Sequence, residues 1–300
     1  MTKRAKADLA IVPIALCWSF SYYLNRVCLD EVGPFALNAL RFIAAFAAAM
    51  AIAYPSLRKV SIRTIKYSLC IGTILTAIYI TATYGVKYTS VSNAGFLCTL
   101  AVVFTPLFAF IFKGVIPERK LILVVMMCTV SIALLTLNEE LKPALGDVFC
   151  ILSAAISAGH LLVTESAVRK EGVNAFHLGV YQLAVVGILN ALLAVTFETV
   201  YIPATMKVWG AIFVLAVFCT GFALVALVIV QKYTTATHVG VILTLEPVLA
   251  GFVAYFFAGE ILLPRAYAGA VMLIIGILIM EIDVKSVAKI LFQNNSHTLP

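Results

Sequence analysis

Glu246 is an ionisable side chain in the middle of an apolar run, VILTLEPVLAGFV from Val241 to Val253. A carboxyl group at such a place costs roughly 2.5 to 3.5 kcal/mol on insertion scales, so something must offset it. Pro247 follows directly. It removes a backbone donor and frees a carbonyl one turn back, which predicts a kinked helix beside the carboxyl group. The chemistry open to Glu246 is binding a proton or cation, or acting as counter-charge to a substrate. A structural ion pair with Arg41, or a neutral hydrogen-bonded carboxyl, is the alternative reading. His160 lies among Ala158 and Gly159 in a second apolar run. Its imidazole ordinarily titrates near pH 6.5 and can sense or relay protons, the alternative being a packing residue. Glu165 is five residues on and off the His160 face, whereas its spacing to Arg169 predicts an ion pair at a membrane edge.

The elements that must carry these groups follow from composition. Hydrophobic residues make up 63% of the 300 and charged residues 12%, with a mean hydropathy of +1.07, far from the balance of a soluble domain. The chain reads as an all-α integral membrane protein. A span needs about 20 apolar residues, which places ten helices at 9–29, 35–54, 66–86, 90–112, 120–138, 144–166, 176–198, 208–230, 235–257 and 264–282. The runs lack the period-two alternation of barrel strands. No Walker segment, dinucleotide fingerprint or HExxH occurs, and no room is left for a soluble catalytic domain. The seven cysteines show no paired spacing and read as small buried hydrophobes rather than a disulfide framework or zinc site. No cofactor and no metal is expected.

Lysine and arginine cluster at Lys3, Arg4 and Lys6, at Arg58 to Lys66, at Lys113 to Lys120, at Arg169 and Lys170, and at Lys285 and Lys289. The opposite loops hold Asp30 and Glu31, Lys87, Glu139 and Glu140 with Lys142, Lys207 and Arg265. By the positive-inside rule both termini are cytoplasmic. The net charge of +7 is accounted for by this asymmetry and gives no argument for nucleic-acid binding.

A thirty-residue stretch occurs twice, 145 positions apart: KYTSVSNAGFLCTLAVVFTPLFAFIFKGVI from Lys87 and KYTTATHVGVILTLEPVLAGFVAYFFAGEI from Lys232. Identical pairs include Thr89/Thr234, Gly95/Gly240, Thr99/Thr244 and Gly114/Gly259. The expected organisation is a first five-helix repeat over 1–142, a second over 143–283 and a cytoplasmic tail over 284–300. Five is odd, so the copies enter the bilayer in opposite senses, the architecture of alternating access. Asn93 and His238 match in the repeat and mark either opposite gates or helix caps.

These features resemble the ten-helix drug/metabolite transporter superfamily, in its EamA-type branch, over nearly the whole chain. The resemblance is carried by CWSFSYY from Cys17, GPFALNALRF from Gly33 to Phe42, the paired KYTSVSNAG and KYTTATHVG segments, and LEPVLAGFVAYFFAGEIL from Leu245 to Leu262. Ser19 and Phe20 depart from the branch, which often has a Gly and a small polar residue there. Pro106 lies about one turn later than Pro247 in the repeat register, and Val115 stands where Glu260 stands. The resemblance implies a central cavity lined in part by helices 1 and 3. On that ground Trp18, Ser21, Tyr22, Tyr79, Asn93, Thr99 and His160 are expected to contact substrate, with Glu246, His160, Arg41 and Pro247 in coupling or gating. Tyr84 and Tyr88 fit an interfacial belt better.

The expectation is a secondary transporter, exporter or exchanger, of a small organic metabolite such as an amino acid. Multidrug efflux is the alternative, ahead of an intramembrane enzyme or a passive channel. Expected partners are the small-molecule substrate, the bilayer and coupling protons or sodium. The protein is expected to act as a monomer in the cell membrane.

Overall fold

The computed structural model describes residues 3–136, 144–200, 202–259 and 264–281. The outer ends of the expected fifth and tenth helices, Glu139 to Lys142, Glu260 and the tail from 284 lie outside the described residues. Within them the chain is helix and turn without strand. In order come α1 (Lys3–Leu9) and α2 (Ile11–Leu29), α3 (Pro34–Leu57), α4 (Ile62–Tyr88), α5 (Val91–Cys98) and α6 (Ala101–Lys113), and α7 (Arg119–Thr136). Then follow α8 (Leu145–Val168), α9 (Ala175–Phe197), α10 (Met206–Val214), a π-helical segment (Leu215–Phe222), α11 (Ala223–Val230), α12 (Ala236–Leu243) and α13 (Leu245–Val253), a second π segment (Ala254–Ala258) and α14 (Pro264–Glu281). Among the described residues eight stretches are long and apolar enough to cross a membrane, including Lys6–Leu29, Asn93–Lys113, Met206–Val230 and Ala236–Phe257. The 18-residue helices α7 and α14 pack on each other.

The surface is turned out toward hydrocarbon. Ile52, Val195, Phe213 and Phe256 are exposed, while Asn38, Arg41, Gln182 and Asn190 are fully buried. With every helix satisfying its own backbone, this distribution suits lipid as solvent. Helices approach closely where side chains are small: Gly187 lies against the Phe42–Ile43 backbone of α3, and Gly146 of α8 against the Tyr88–Thr89 backbone that ends α4.

Helix starts are written in short polar side chains. Ser61, Ser90, Asn174, Thr205 and Thr235 each accept a hydrogen bond from the backbone N–H three residues on. α3 has no such cap, because Gly33 has no side chain and Pro34 takes the first helical position. Glu198, at the end of α9, serves instead: Phe35 and Ala36 each donate a backbone N–H to its carboxylate at 2.9 Å. A Cβ on Gly33 would collide with that carboxylate, so a larger residue there would have to push the Glu198 side chain off its cap. The neighbouring loops reciprocate. Glu31, just after α2, accepts the Thr205 hydroxyl at 2.6 Å and the backbone N–H groups of Ala204 and Thr205 at the start of α10.

The hydrogen bond from the Thr205 hydroxyl, helped by these two backbone donors and opposed by some desolvation, holds the Glu31 carboxyl below its ordinary value. A depressed carboxylate stabilises the fold above its unfolded-state pKa, and this contribution fades as pH falls through the lower folded value. The melting temperature of the detergent-solubilised protein should therefore fall more steeply with acid, from about pH 4.5 downward, than that of Glu31→Gln. Parallel acid profiles would remove Glu31 as a contributor.

Candidate functional site

Both copies of the repeated segment are broken helices with the same local construction. α5 follows the cap Ser90 and stops at Thr99; α12 follows the cap Thr235 and stops at Thr244, the matching residue. The Thr99 hydroxyl donates to the Gly95 carbonyl at 2.8 Å and the Thr244 hydroxyl to the Val241 carbonyl at 2.5 Å, side-chain bonds that compete with the helical ladder. Further on, Gly114 and Gly259 both adopt left-handed backbone, φ 64° and 69°, a conformation that favours glycine. The expected kink at Pro247 is thus a break one turn earlier. It recurs at Thr99, whose copy has its proline inside the regular α6, so proline is not its common cause. Asn93 and His238 are not the caps either: they are the donors to Ser90 and Thr235.

Between these breaks and α2, α4, α8 and α11 lies a cavity with about 960 Å³ of open space, mouth included. α2 contributes Trp18, Ser21, Tyr22 and Asn25; α4 contributes Leu75, Ile78, Tyr79 and Thr83; α8 contributes Ser153, Ser157 and His160. The breaks supply Cys98, Thr99, Gly240, Leu243 and Glu246, and α11 supplies Leu224 and Leu227. At each break the backbone bonds shorten to three-residue turns, Thr99 N–H to the Phe96 carbonyl and Thr244 N–H to the Val241 carbonyl among them, and Thr99 of the first turn lines the cavity.

Of the residues singled out in the sequence, Trp18, Ser21, Tyr22, Tyr79, Thr99, His160 and Glu246 share this one wall system. Asn93, Arg41 and Pro247 do not line it. Asn93 is held in the first turn of α5 by its cap. Pro247 is buried one residue behind Glu246. Arg41 is fully buried behind the wall: its Nε donates to the Thr220 hydroxyl at 2.8 Å, its Nη1 donates to Asn25 Oδ1 at 3.1 Å, and its guanidinium stacks over Tyr79, 5.0 Å from the ring centre. The π-helical segment makes this possible. Its wide turn offers the Thr220 hydroxyl to Arg41 and the Cys219 carbonyl to the Trp18 indole N–H at 3.0 Å.

The Arg41–Glu246 ion pair is not formed. Glu246 accepts the Tyr22 hydroxyl proton, and its backbone carbonyl shares the Ser19 hydroxyl, 2.9 Å away, with Ala15. Among the described residues no cation pairs with the Glu246 carboxyl. His160 faces the cavity beside Gln182, with Nε2 buried and without a protein partner. Glu165 bonds Arg169 at 3.0 Å and Lys113 at 3.4 Å, an edge cluster apart from the cavity.

Asn25, Thr83, Ser153 and Ser157 were missed by sequence reasoning. A signal existed: Ser21 and Asn25, and Ser153, Ser157 and His160, fall at three- or four-residue spacing on one helix face each.

A profile of the EamA-like transporter family matches residues 5–137 and again residues 144–282. The chain belongs to the EamA-like transporter family. An uncharacterized transporter of Archaeoglobus fulgidus is 27% identical over 283 residues, spanning 94% of this chain and 88% of that protein. A solved crystal structure superposes with a TM-score of 0.77 at 19% identity, covering 95% of this chain and 99% of its own, a likeness of fold. The EamA-like assignment makes the chain a multi-pass membrane transporter.

Proposed function

We propose that this EamA-like protein is a secondary transporter that exports or exchanges a small organic metabolite such as an amino acid across the cell membrane. It does so by alternating access to the central cavity. In this reading ten helices cross the bilayer as two five-helix repeats of opposite orientation, 1–142 and 143–283, with both termini cytoplasmic. The double profile match and the matched caps, breaks and glycines support the repeats. The excess of lysine and arginine on one set of loops supports the orientation. Twin bundles of this kind make outward-open and inward-open states alternatives of similar energy.

The observation that carries the reading is Glu246. Its carboxyl group reaches the cavity at a helix break, is held by the Tyr22 phenol and has no cationic partner among the described residues. Such a group is expensive in a membrane and is placed where a coupling proton or sodium ion can reach it. His160, also on the cavity wall, is the second candidate for proton exchange.

Protein reconstituted in liposomes should take up radiolabelled L-leucine saturably, and faster when the vesicles are preloaded with unlabelled leucine. Linear flux that survives excess unlabelled solute would make the protein a channel. A thermal-shift screen over amino acids, nucleosides and cationic dyes separates metabolite transport from multidrug efflux.

A further inference from the structure

Arg41 is costly to bury: a guanidinium with no exposed surface, no carboxylate partner among the described residues, and one nitrogen, Nη2, without a hydrogen bond among them. Arginine can only donate. The Asn25 atom 3.1 Å from Nη1 must therefore be the side-chain oxygen, and Asn25 is left with its NH₂ group facing away from Arg41. That NH₂ donates to Ser21 Oγ at 3.1 Å. Ser21 thus accepts from Asn25, and its own hydroxyl proton has no protein acceptor among the described residues. Both side chains line the cavity. One buried cation has in this way set the polarity of a whole strip of wall, which offers N–H and O–H groups to whatever fills the space.

Roles alternate along this wall of α2. Tyr22, next in sequence to Ser21, donates its hydroxyl hydrogen to the Glu246 carboxyl. Ser21 and Asn25 are donors under the field of Arg41, whose charge no described residue neutralises. An anionic oxygen at this strip would meet two hydrogen-bond donors and a nearby positive charge in a medium of low dielectric, the setting in which charge-assisted hydrogen bonds are strongest.

We propose that Ser21 and Asn25 form a carboxylate subsite of the cavity, with Arg41 as the positioning residue that fixes the Asn25 amide as donor and makes Asn25 specificity-determining. The transported solute then carries a carboxylate, bound at this strip, with its apolar part toward Leu224, Leu227 and Leu243. The inference rests on the central cavity being the solute site, and the test separates the two. The chain holds two tryptophans; Trp18 lines the cavity and Trp209 is partly exposed at the start of α10. In the background of Trp209→Phe, emission reports on Trp18 alone.

Titration with 4-methylpentanoate, 4-methylpentanamide and 4-methylpentylamine compares one apolar skeleton with three head groups. The acid is expected to change Trp18 emission saturably, with a midpoint at least about tenfold below that of the amine. Asn25→Asp is isosteric, can ion-pair with Arg41 and replaces the donor by an acceptor. It should reverse that order, whereas Arg41→Lys should keep it. A response equal for all three ligands, or unaltered order in Asn25→Asp, overturns the carboxylate subsite while leaving the cavity as the binding place. No Trp18 response to any of them overturns both.

Discussion

Replacing Glu246 with glutamine should abolish uphill transport by the reconstituted protein and leave exchange of substrate across the membrane intact. The amide keeps the shape of the side chain and an oxygen to accept the Tyr22 proton, so the wall of the cavity stays closed around the substrate. What it loses is the capacity to bind and release a positive ion. The edge carboxylate Glu165 cannot take over, because it is committed to Arg169 and Lys113, and His160, the second candidate for proton exchange, stands on a different helix. Accumulation against a gradient should fall at least about tenfold, equivalent to about 1.4 kcal/mol of driving step, with counterflow hardly altered. Unchanged accumulation would take Glu246 out of the coupling mechanism. Loss of both activities with an unshifted melting temperature would place it in substrate binding instead.

The second large effect concerns Gly146. A methyl group there would lie 2.6 Å from the Thr89 nitrogen and the Tyr88 carbonyl carbon and 2.7 Å from the Gly85 oxygen, all backbone. A flexible side chain could turn away from such a contact, but the end of α4 cannot do so without moving α8 as well. Overpacking of a tight core costs about 1 to 3 kcal/mol, and backbone obstruction puts Gly146→Ala at the upper end. At Gly159, on the same helix, an added methyl group would meet no neighbouring atom within 4 Å, so Gly159→Ala carries only the gain in helix propensity of up to about 1 kcal/mol. Melting of the two variants in detergent should move in opposite directions. Equal shifts would show that the α4–α8 contact yields more readily than its geometry implies.

Much of the helical layout was legible because continuous apolar runs leave few alternatives: α3 begins at Pro34 and α9 at Ala175, within a residue of the expected starts at 35 and 176. The interruptions were not. Pro247 and Pro106 stand out as breakers, yet both breaks fall at the threonines of the matched pair, where a hydroxyl bonds back to a carbonyl. A threonine in an apolar helix gives little warning of this, since the same bond is made without a break by Thr76 and Thr105. The charges show a second limit. Pairing Arg41 with Glu246 was reasonable from their signs and depth, but the position of a side chain around its helix axis decides its partner. Arg41 turns to Asn25, Thr220 and the Tyr79 ring, and the two charged groups are left with separate partners on α2, Asn25 and Tyr22. The polar stripe of Ser153, Ser157 and His160 was readable from spacing alone, whereas the role of Asn25 emerges only once its oxygen is seen to be claimed by arginine.

The reciprocal carboxylates at the α2–α3 and α9–α10 turns bear on where the molecule can bend. Separating these four helices at that end would break five hydrogen bonds to Glu31 and Glu198 at once. At Thr99 and Thr244 the helical ladder gives way to three-residue turn bonds, so a bend there breaks fewer bonds. The rim is therefore riveted, and the two threonine turns are the places where the fold bends at least cost.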